Sequence, residues 1–324
     1  MPAHEYLTPR SAESRHQGVC ATCCKGTVAA SEDHVAKLRF LLLALLVPEL
    51  ALAQFGITHG TVVVVNKTDD KLIMAADSMA IHSFGIPDNS YCKISTFSHQ
   101  IVFAGIGCQG YVNTGSSDRA ATWSAKDILR RVVGSEPKGP AGIRHIQNIS
   151  ESWAALVLVN LEIEYLAHPQ DVIKMAEEQK GSLSGGIFAE ARDGEIYMRV
   201  AVVRFNQNLL SPQSLIFGDI GDCWTCGQKE GGKICAEGQP AVAAEFCTES
   251  SERAKGQEGR LTYGSTLLSL GWDKYSLLAL RLADLTSAYD RSRTVGGNID
   301  VLELDKNGHI RWLARKGNCP DSDN

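Results

Sequence analysis

Residues 56–78 read GITHGTVVVVNKTDDKLIMAADS, and they contain the pattern from which the rest of the chain can be interpreted. Residues 61–67 (TVVVVNK) are rich in β-branched side chains, and the polar turn 68–70 follows them. A second apolar run, KLIMAAD, covers residues 71–77. Two such runs joined by a short polar turn are typical of a hairpin whose strands are buried on both faces. The pattern therefore predicts a hairpin that begins at Thr61.

Outward from this hairpin, strand patterns occupy both ends of the chain and helix patterns lie between them. A second hairpin is predicted at 92–97 and 100–107, and a Cys/Gly-rich surface loop at 221–238. Together these elements predict an α+β layered domain in which helices cover antiparallel sheets. The predicted helices are 119–133, 143–166, 171–179, 240–254 and 275–291, and the later strands are 185–190, 195–205, 215–218, 298–304 and 309–314.

Composition restricts the possible functions. The chain has 324 residues, of which 44% are hydrophobic, so it contains ample material for a buried core. Its net charge is −5, and no predicted face gathers lysine and arginine side chains. Nucleic acid is therefore not an expected partner.

Residues 36–54 (AKLRFLLLALLVPELALAQ) have the layout of an export signal. Lys37 and Arg39 form a positive start, residues 41–47 an apolar centre, and Ala51-Leu52-Ala53 a small-x-small cleavage site. The apolar run is too short to span a bilayer, and Pro48 disfavours a buried core helix. We therefore expect a signal peptide at 35–53 and export to the periplasm or the exterior of a bacterial cell, with no membrane attachment after cleavage. Residues 1–34 are expected to be a disordered leader, or to precede a true start at Val35.

Seven cysteines follow Gln54, and in an exported protein some of them should be paired. An odd number leaves at least one free thiol. Two interpretations remain open for the loop cysteines: disulfides that staple the loop, or an irregular zinc site. The earlier CATCC cluster at 20–24 is too compact for a four-ligand zinc site. The loop cysteines are Cys223, Cys226, Cys235 and Cys247.

Three polar residues stand at regular offsets along the two hairpins. Thr61 follows Gly60, Asp77 lies 16 residues after Thr61 within the motif AADS, and Lys93 lies 32 residues after Thr61. Further along the chain, Ala104-Gly105 follows the fourth strand, and residues 289–308 read YDRSRTVGGNIDVLELDKNG.

This arrangement resembles the β-type subunits of the proteasome, which are N-terminal-nucleophile (Ntn) hydrolases. The resemblance covers residues 58–112 and 262–313. It implies a four-layer αββα Ntn-hydrolase sandwich at 61–316, a propeptide at 54–60 and a tail at 317–324. It also implies a homo-oligomer that cleaves peptide or amide substrates without a metal or cofactor.

The resemblance further implies a role for each site residue. Thr61, freed by a cut after Gly60, would be the nucleophile, Lys93 its electrostatic activator and Asp77 the group that orients Lys93. The AG motif suggests the Gly105 N–H as an oxyanion donor, whereas the gap-free offset selects Gly107.

The chemistry of these residue types agrees with such roles. A threonine hydroxyl is a poor nucleophile at neutral pH and requires a base. A freed α-amine, with a reference pKa of about 7.7–8.0, can accept its proton. An ammonium nearby favours the alkoxide, a carboxylate holds the ammonium by a charge-assisted hydrogen bond, and backbone N–H groups stabilise an oxyanion.

Two alternatives remain. The first is a non-catalytic proteasome-like scaffold or binding protein, in which Thr61 only begins a strand. In its favour, Val295 occupies the position of a serine that supports the threonine amine in the family, and Ser292 that of an aspartate. Gly264-Ser265 is a loose match to the other supporting serine. The second alternative is a redox or zinc-binding module built on the loop cysteines.

Overall fold

Antiparallel β-sheets dominate the computed structural model of this chain. The structure describes residues 55–57, 61–81, 87–89, 91–97, 101–113, 121–135, 143–179, 181–206, 208, 211–217, 223–224, 233–238, 243, 273–289 and 295–319, all within one compact unit that spans 52–324. The predicted leader, signal peptide, CATCC cluster and helix at 240–254 lie outside these ranges, apart from residue 243.

The first sheet has five strands in the order β12-β11-β10-β7-β6. The three hairpins within it, β6–β7, β10–β11 and β11–β12, are antiparallel and in continuous register apart from one irregularity near Ser182. Its strands are β6 (Ile94–Phe97), β7 (Ile101–Gly107), β10 (Ser182–Arg192), β11 (Glu195–Asn206) and β12 (Ser211–Phe217).

The second sheet has six strands in the order β13-β14-β2-β3-β15-β16. The hairpin β2–β3 lies at its centre, where both faces are covered, and this explains the continuous apolar runs in the sequence. Its strands are β2 (Val62–Lys67), β3 (Lys71–Asp77), β13 (Cys223–Trp224), β14 (Lys233–Gly238), β15 (Ile299–Asp305) and β16 (Ile310–Ala314).

Two small sheets complete the strand inventory of the described ranges. One has the order β1-β8-β9 and the other pairs β4 with β5. Their strands are β1 (Phe55–Ile57), β4 (Ala80–Ile81), β5 (Pro87–Asp88), β8 (Gly110–Asn113) and β9 (Ala121–Ser124).

The four described helices divide unequally between the two main sheets. Helices α1 (Ala125–Ser135), α2 (Ile143–Ala167) and α3 (Pro169–Glu178) form one apolar cluster with the five-stranded sheet. Helix α4 (Lys274–Tyr289) packs on the six-stranded sheet. A third cluster, which includes Val63 and Val65 of β2 and Ile187 of β10, fills the space between the sheets. None of the helices in the described ranges is long and apolar enough to cross a membrane.

The predicted four-layer αββα Ntn-hydrolase sandwich is wrong. The described part of the chain is 44% strand and 36% helix with two antiparallel sheets, which is a different architecture. In the described ranges, three helices cover one sheet and a single helix covers the other. The motifs that suggested the sandwich lie mainly on hairpins. A hairpin pattern specifies strand pairing but not the helices packed outside it.

Other boundaries differ in detail. The hairpins predicted at 61–77 and 92–107 are confirmed. The helix predicted to begin at residue 119 begins at Ala125, because residues 121–124 form β9 instead. The Cys/Gly-rich loop prediction is wrong for 233–238, since β14 pairs with β2 along its whole length.

Candidate active site

The three offset residues stand at strand ends in two different sheets. Thr61 immediately precedes β2 and Asp77 ends β3, both in the six-stranded sheet. Lys93 immediately precedes β6 of the five-stranded sheet. The structure therefore brings the predicted residues to one place, where the ends of the two sheets meet.

Asp77 and Lys93 form a buried ion pair between the sheets. The Lys93 Nζ lies 2.7 Å from Asp77 Oδ1, and the two residues are 2% and 0% exposed. The same carboxylate oxygen accepts the backbone N–H of Val62 at 2.8 Å. Because the Lys93 ammonium and the Val62 amide nitrogen bond the same oxygen, the sum of these two distances is the upper limit of their separation. The cation lies beside the peptide unit that joins Thr61 to Val62.

The second carboxylate oxygen of Asp77 holds the late glycine turn. Its Oδ2 accepts the N–H of Gly296 at 3.0 Å and the N–H of Met79 at 3.2 Å. The Gly296 carbonyl accepts in return from the N–H groups of Ser78 and Met79. Asp77 therefore accepts three backbone hydrogen bonds besides the Lys93 bond, which offset part of the cost of burying its charge.

Burial shifts the pKa of both partners. It lowers the pKa of Lys93 to about 8, because a buried ammonium loses its hydration; the Asp77 charge and hydrogen bond oppose this, and the positive charge of Lys316 adds to it. Burial raises the pKa of Asp77, against the opposing effects of Lys93 and the N–H groups of Gly296 and Val62. The charge on Lys93 can therefore change close to neutral pH.

Thr61 itself is buried, with 3% of its surface exposed. Gly238, at the end of β14, packs directly against its backbone. A Cβ atom added at Gly238 would lie 2.1 Å from the Thr61 carbonyl oxygen, and Gly238 has a φ of +88°. Both constraints require glycine at this position, so β14 sets the position of the peptide after Thr61.

The two glycines proposed as oxyanion donors differ in what they contact. The Gly105 N–H donates to the Lys93 carbonyl at 3.1 Å, so this donor is already engaged within the sheet. A Cβ at Gly105 would overlap the side chain of Gln109, which donates to the carbonyls of Ile106 and Gly185. The glycine at 105 thus leaves room for a buried glutamine.

Gly107 is the last residue of β7, beyond the part of this strand that pairs with β6. Successive N–H groups of a strand point to opposite neighbours: that of Gly105 points to β6, and that of Cys108 donates to the Leu183 carbonyl of β10. The Gly107 N–H therefore faces the β6 side, one step beyond Lys93. Its φ of +67° redirects the chain after the amide, and a Cβ would lie 2.8 Å from the Leu183 carbonyl.

The segment before Thr61 is held as a strand beside this point. Phe55, Gly56 and Ile57 of β1 pair with Asn113, Val112 and Tyr111 of β8. Only Cys108 and Gln109 separate β8 from Gly107. Part of the predicted propeptide therefore lies extended on the chain that leaves the site.

Cys108 does not act as an alternative nucleophile. Its thiol is free and buried, and it donates to the Gly110 carbonyl at 3.4 Å. Burial raises its pKa to about 12. Since the thiolate is the reactive form of cysteine, this group is inert at neutral pH.

The C-terminal tail anchors the segment that carries Lys93. Sequence reasoning missed this anchoring. The Lys316 Nζ lies 2.8 Å from Asp300 Oδ2 and donates to the Tyr91 carbonyl at 2.5 Å. Cys92, next to Lys93, forms a disulfide with Cys319. The signal available in the sequence was a cysteine beside Lys93 and another near the chain end, but spacing alone does not pair them.

Two departures from the family pattern have different outcomes. The side chain of Val295 belongs to the apolar cluster under α4 and supplies no hydroxyl. Ser292 and the Gly264-Ser265 pair lie outside the described residues.

One of the four loop cysteines agrees with the disulfide interpretation. Cys235 is disulfide-bonded, and a disulfide sulfur is not a thiolate ligand for zinc. In the parts of the chain that the structure describes, no three His, Cys, Asp or Glu side chains are grouped to hold a metal ion.

Comparison with known proteins adds no relative. No protein-family model matches the chain, and no curated protein matches its sequence. The geometry of the site therefore carries the functional argument.

Proposed function

We propose that this chain is a self-processing threonine hydrolase of the N-terminal-nucleophile type, which cleaves peptide or amide bonds. One observation carries the proposal: Asp77 Oδ1 accepts the Lys93 ammonium and the Val62 N–H together, so a buried cation is held one residue from Thr61. A buried lysine that is paired and lies at the head of a strand is costly to maintain, and perturbed groups of this kind cluster at functional sites.

In the proposed reaction, cleavage between Gly60 and Thr61 first creates a free α-amine. That amine takes the proton of the Thr61 hydroxyl as the oxygen attacks the substrate carbonyl carbon. The Lys93 ammonium stabilises the developing alkoxide, and Asp77 keeps the ammonium in place. The Gly107 N–H stabilises the oxyanion. The amine then protonates the leaving nitrogen, and water hydrolyses the resulting ester.

The pairing of β1 with β8 supports a peptide as the substrate class. It shows that β8 can accept an extended chain next to Gly107. Once the segment before Thr61 is released, the main chain of a substrate can pair with the same edge by strand addition. Such pairing binds the backbone and leaves side-chain preference to the surrounding pockets.

The proposed location is outside the cytoplasm, after removal of residues 35–53. An export signal would leave Gln54 as the first residue, and the cut after Gly60 would then be a second event. Mass spectrometry of the exported fraction should find both Gln54 and Thr61 as N-termini. Peptides from residues 1–34 in that fraction would contradict the proposed start at Val35.

The decisive experiment is intact-mass measurement and N-terminal sequencing of native protein beside Thr61→Ala and Thr61→Ser. We expect the native protein to begin at Thr61 and to hydrolyse peptides. Thr61→Ala should remain uncut and inactive, and Thr61→Ser should retain both reactions at reduced rates, because serine also offers a hydroxyl. Hydrolysis by uncut Thr61→Ala would exclude the proposed nucleophile.

A non-catalytic scaffold is the second candidate, and the burial of Thr61 and the missing hydroxyl at Val295 favour it. A scaffold predicts that residues 54–60 stay attached. It also predicts that Thr61→Ala changes neither proteolytic processing nor any hydrolytic activity. The effect of this substitution on the free energy of unfolding should be small.

A further inference from the structure

A second buried ion pair, between Lys316 and Asp300, takes no part in the reaction proposed above. The two residues are 8% and 1% exposed, and the Lys316 Nζ lies 2.8 Å from Asp300 Oδ2. The backbone N–H of Lys316 donates to the other oxygen of the same carboxylate at 3.0 Å. Asp300 therefore holds both ends of one lysine. Burial of two charges commonly costs as much free energy as their attraction returns, so the pair requires an explanation beyond stability.

The Lys316 side chain reaches the segment from which Lys93 extends. Its Nζ donates to the Tyr91 carbonyl at 2.5 Å. Further along the tail, Cys319 is bonded to Cys92, and the N–H of Cys319 donates to the Lys316 carbonyl at 3.2 Å. This turn fixes the spacing of the two attachments. The tail thus holds the two residues that immediately precede Lys93 in the chain.

Lys93 is also held by the sheet. Its carbonyl accepts the N–H of Gly105 at 3.1 Å, and its ammonium lies 2.7 Å from Asp77 Oδ1. The attachments of the tail and this bond to β7 together set the point from which the Lys93 side chain starts. A displacement of about 1 Å in an active site can reduce the rate about a hundredfold. The bond from Lys316 to the Tyr91 carbonyl is therefore placed to affect the reaction.

We propose that Lys316 is a positioning residue for this hydrolysis, in which it fixes the backbone from which Lys93 extends and so keeps the ammonium bonded to Asp77. This role rests on the proposed function, because Lys93 is an activator only in that reaction. Lysine suits the role because its ammonium has three N–H donors, so one group can contact a carboxylate and a carbonyl together. An apolar side chain of similar length would fill the space but bind neither.

The charge of Lys316 also acts on Lys93 through space. The Asp77 carboxylate approaches Lys93 from β3, and the Lys316 ammonium, paired with Asp300 of β15, approaches from the segment after β16. Burial lowers the pKa of Lys93, the Asp77 charge and hydrogen bond oppose this, and the second cation adds to the lowering. Loss of that cation should therefore raise the pKa of Lys93 and move the alkaline fall of activity to higher pH.

Lys316→Met tests the proposal, because it removes the charge and the donors but keeps a side chain of similar length. We expect kcat to fall about tenfold or more, with KM little changed because Lys316 does not touch the substrate. The alkaline fall should move to higher pH. A variant that only lost stability would contain fewer active molecules, but its activity would fall at the same pH as in the native protein.

Two further variants serve as controls. Lys316→Arg keeps the charge and N–H donors, so it should recover part of kcat and show the alkaline fall of the native protein. Lys306→Met removes an exposed ion pair with Asp70 and should change neither kcat nor the pH profile.

The double variant Lys316→Met/Asp300→Asn covers the case in which Lys316→Met does not fold. It leaves no uncompensated charge in the buried pair, so it should fold where the single variant fails. It also lacks the bond to the Tyr91 carbonyl and should show the same loss of kcat.

A titration of Lys93 itself separates this role from the proposed function. NMR of protein with ¹³C-labelled lysine side chains follows each ammonium, and the signal that is absent from Lys93→Arg identifies Lys93. Its pKa should be higher in Lys316→Met and in the double variant than in the native chain, whether or not the chain is cut after Gly60. A native chain that is neither cut nor active would end the proposed function, but this comparison would still decide whether Lys316 acts on Lys93.

Two results would overturn the positioning role. The first is a native kcat in folded Lys316→Met or in the double variant. The second is an equal loss of kcat in Lys316→Met and Lys316→Arg with an unchanged titration of Lys93, because the lysine would then serve only the stability of the tail.

Discussion

The Asp77–Lys93 pair is the most demanding feature of the molecule at the scale of single residues. Two charges are buried together, and the desolvation cost of such a pair commonly equals or exceeds its electrostatic gain. Asp77 recovers part of this cost through three backbone N–H donors. A pair of apolar residues would fill the space at lower cost. The ions therefore have a better explanation in function than in stability.

Single and double substitutions separate these two roles. Asp77→Asn leaves the Lys93 ammonium buried without its counter-charge and should cost about 3–5 kcal/mol of unfolding free energy. Lys93→Met should cost less, because Asp77 retains its backbone donors. The double variant should recover much of the stability, since neither charge remains, but none of the cleavage at Gly60. Denaturant unfolding and intact-mass measurement provide the two readouts. Full cleavage in the double variant would show that the pair is structural only.

The lowered pKa of Lys93 predicts how hydrolysis depends on pH. The charged form is the proposed activator, and the pKa of Lys93 lies at about 8 instead of its usual 10.5. Activity should therefore fall as the pH rises through about 8, because the ammonium loses its proton. The free threonine amine must be neutral to act as a base, so activity should also fall on the acid side.

A charge-preserving variant provides the control for this profile. Arginine stays protonated at all accessible pH values. Lys93→Arg should therefore lack the alkaline fall in whatever activity it retains. An unchanged alkaline fall in Lys93→Arg would assign that titration to another group.

At the scale of elements, β14 and β7 determine how Thr61 is presented. β14 ends in Gly238, which packs under the Thr61 carbonyl, and β7 ends in Gly107, where the chain turns away. Both glycines have positive φ and close backbone neighbours. A side chain at either would move the strand end against which the site is built.

Gly238→Ala tests this positioning, and Gly194→Ala serves as its matched control. Gly194 has a similar φ of +79°, but an added Cβ would meet nothing within 4 Å. Both variants should lose about 1 kcal/mol through the positive φ. Only Gly238→Ala should also displace Thr61 and slow cleavage after Gly60, tenfold or more. Equal cleavage rates in the two variants would show that the contact with Thr61 has no functional effect.

At the scale of the whole molecule, the site ties distant parts of the chain together. The Asp77–Lys93 pair joins the two sheets, and the disulfide from Cys92 to Cys319 spans 227 residues of sequence. The Lys316–Asp300 pair fastens the same tail to β15. The segment with Lys93 is therefore held from both sides.

Removal of the disulfide should destabilise the whole fold. In the chain-entropy description, a loop of this length is worth at most about 5 kcal/mol, so Cys92→Ser should lower the unfolding temperature by several degrees. Reductant should lower the unfolding temperature of the native chain more than that of Cys92→Ser, which has lost this disulfide but retains the one at Cys235. Cys108→Ala, which removes a free buried thiol, is the control for cysteine replacement. An unfolding temperature of native protein that does not respond to reductant would contradict the structural role.

The sequence by itself determined the local pairing of the chain. The runs at 61–77 and 92–107 predicted their hairpins correctly, because β-branched residues and polar turns act over short distances. The offsets of Asp77 and Lys93 from Thr61 likewise selected two side chains that lie in contact. Periodicity also located α2, whose buried face repeats at helical spacing.

Only the tertiary structure decided how those elements pack, pair and are cross-linked. The number of helices on each sheet, the pairing of β14 with β2 and the bond from Cys92 to Cys319 join residues far apart in sequence. Packing of this kind depends on shape and burial, which no local pattern encodes. The hydrogen bond from the Gly105 N–H to the Lys93 carbonyl was likewise decided by the tertiary structure. A motif located the glycines, but the direction of each N–H follows from strand pairing across the sheet.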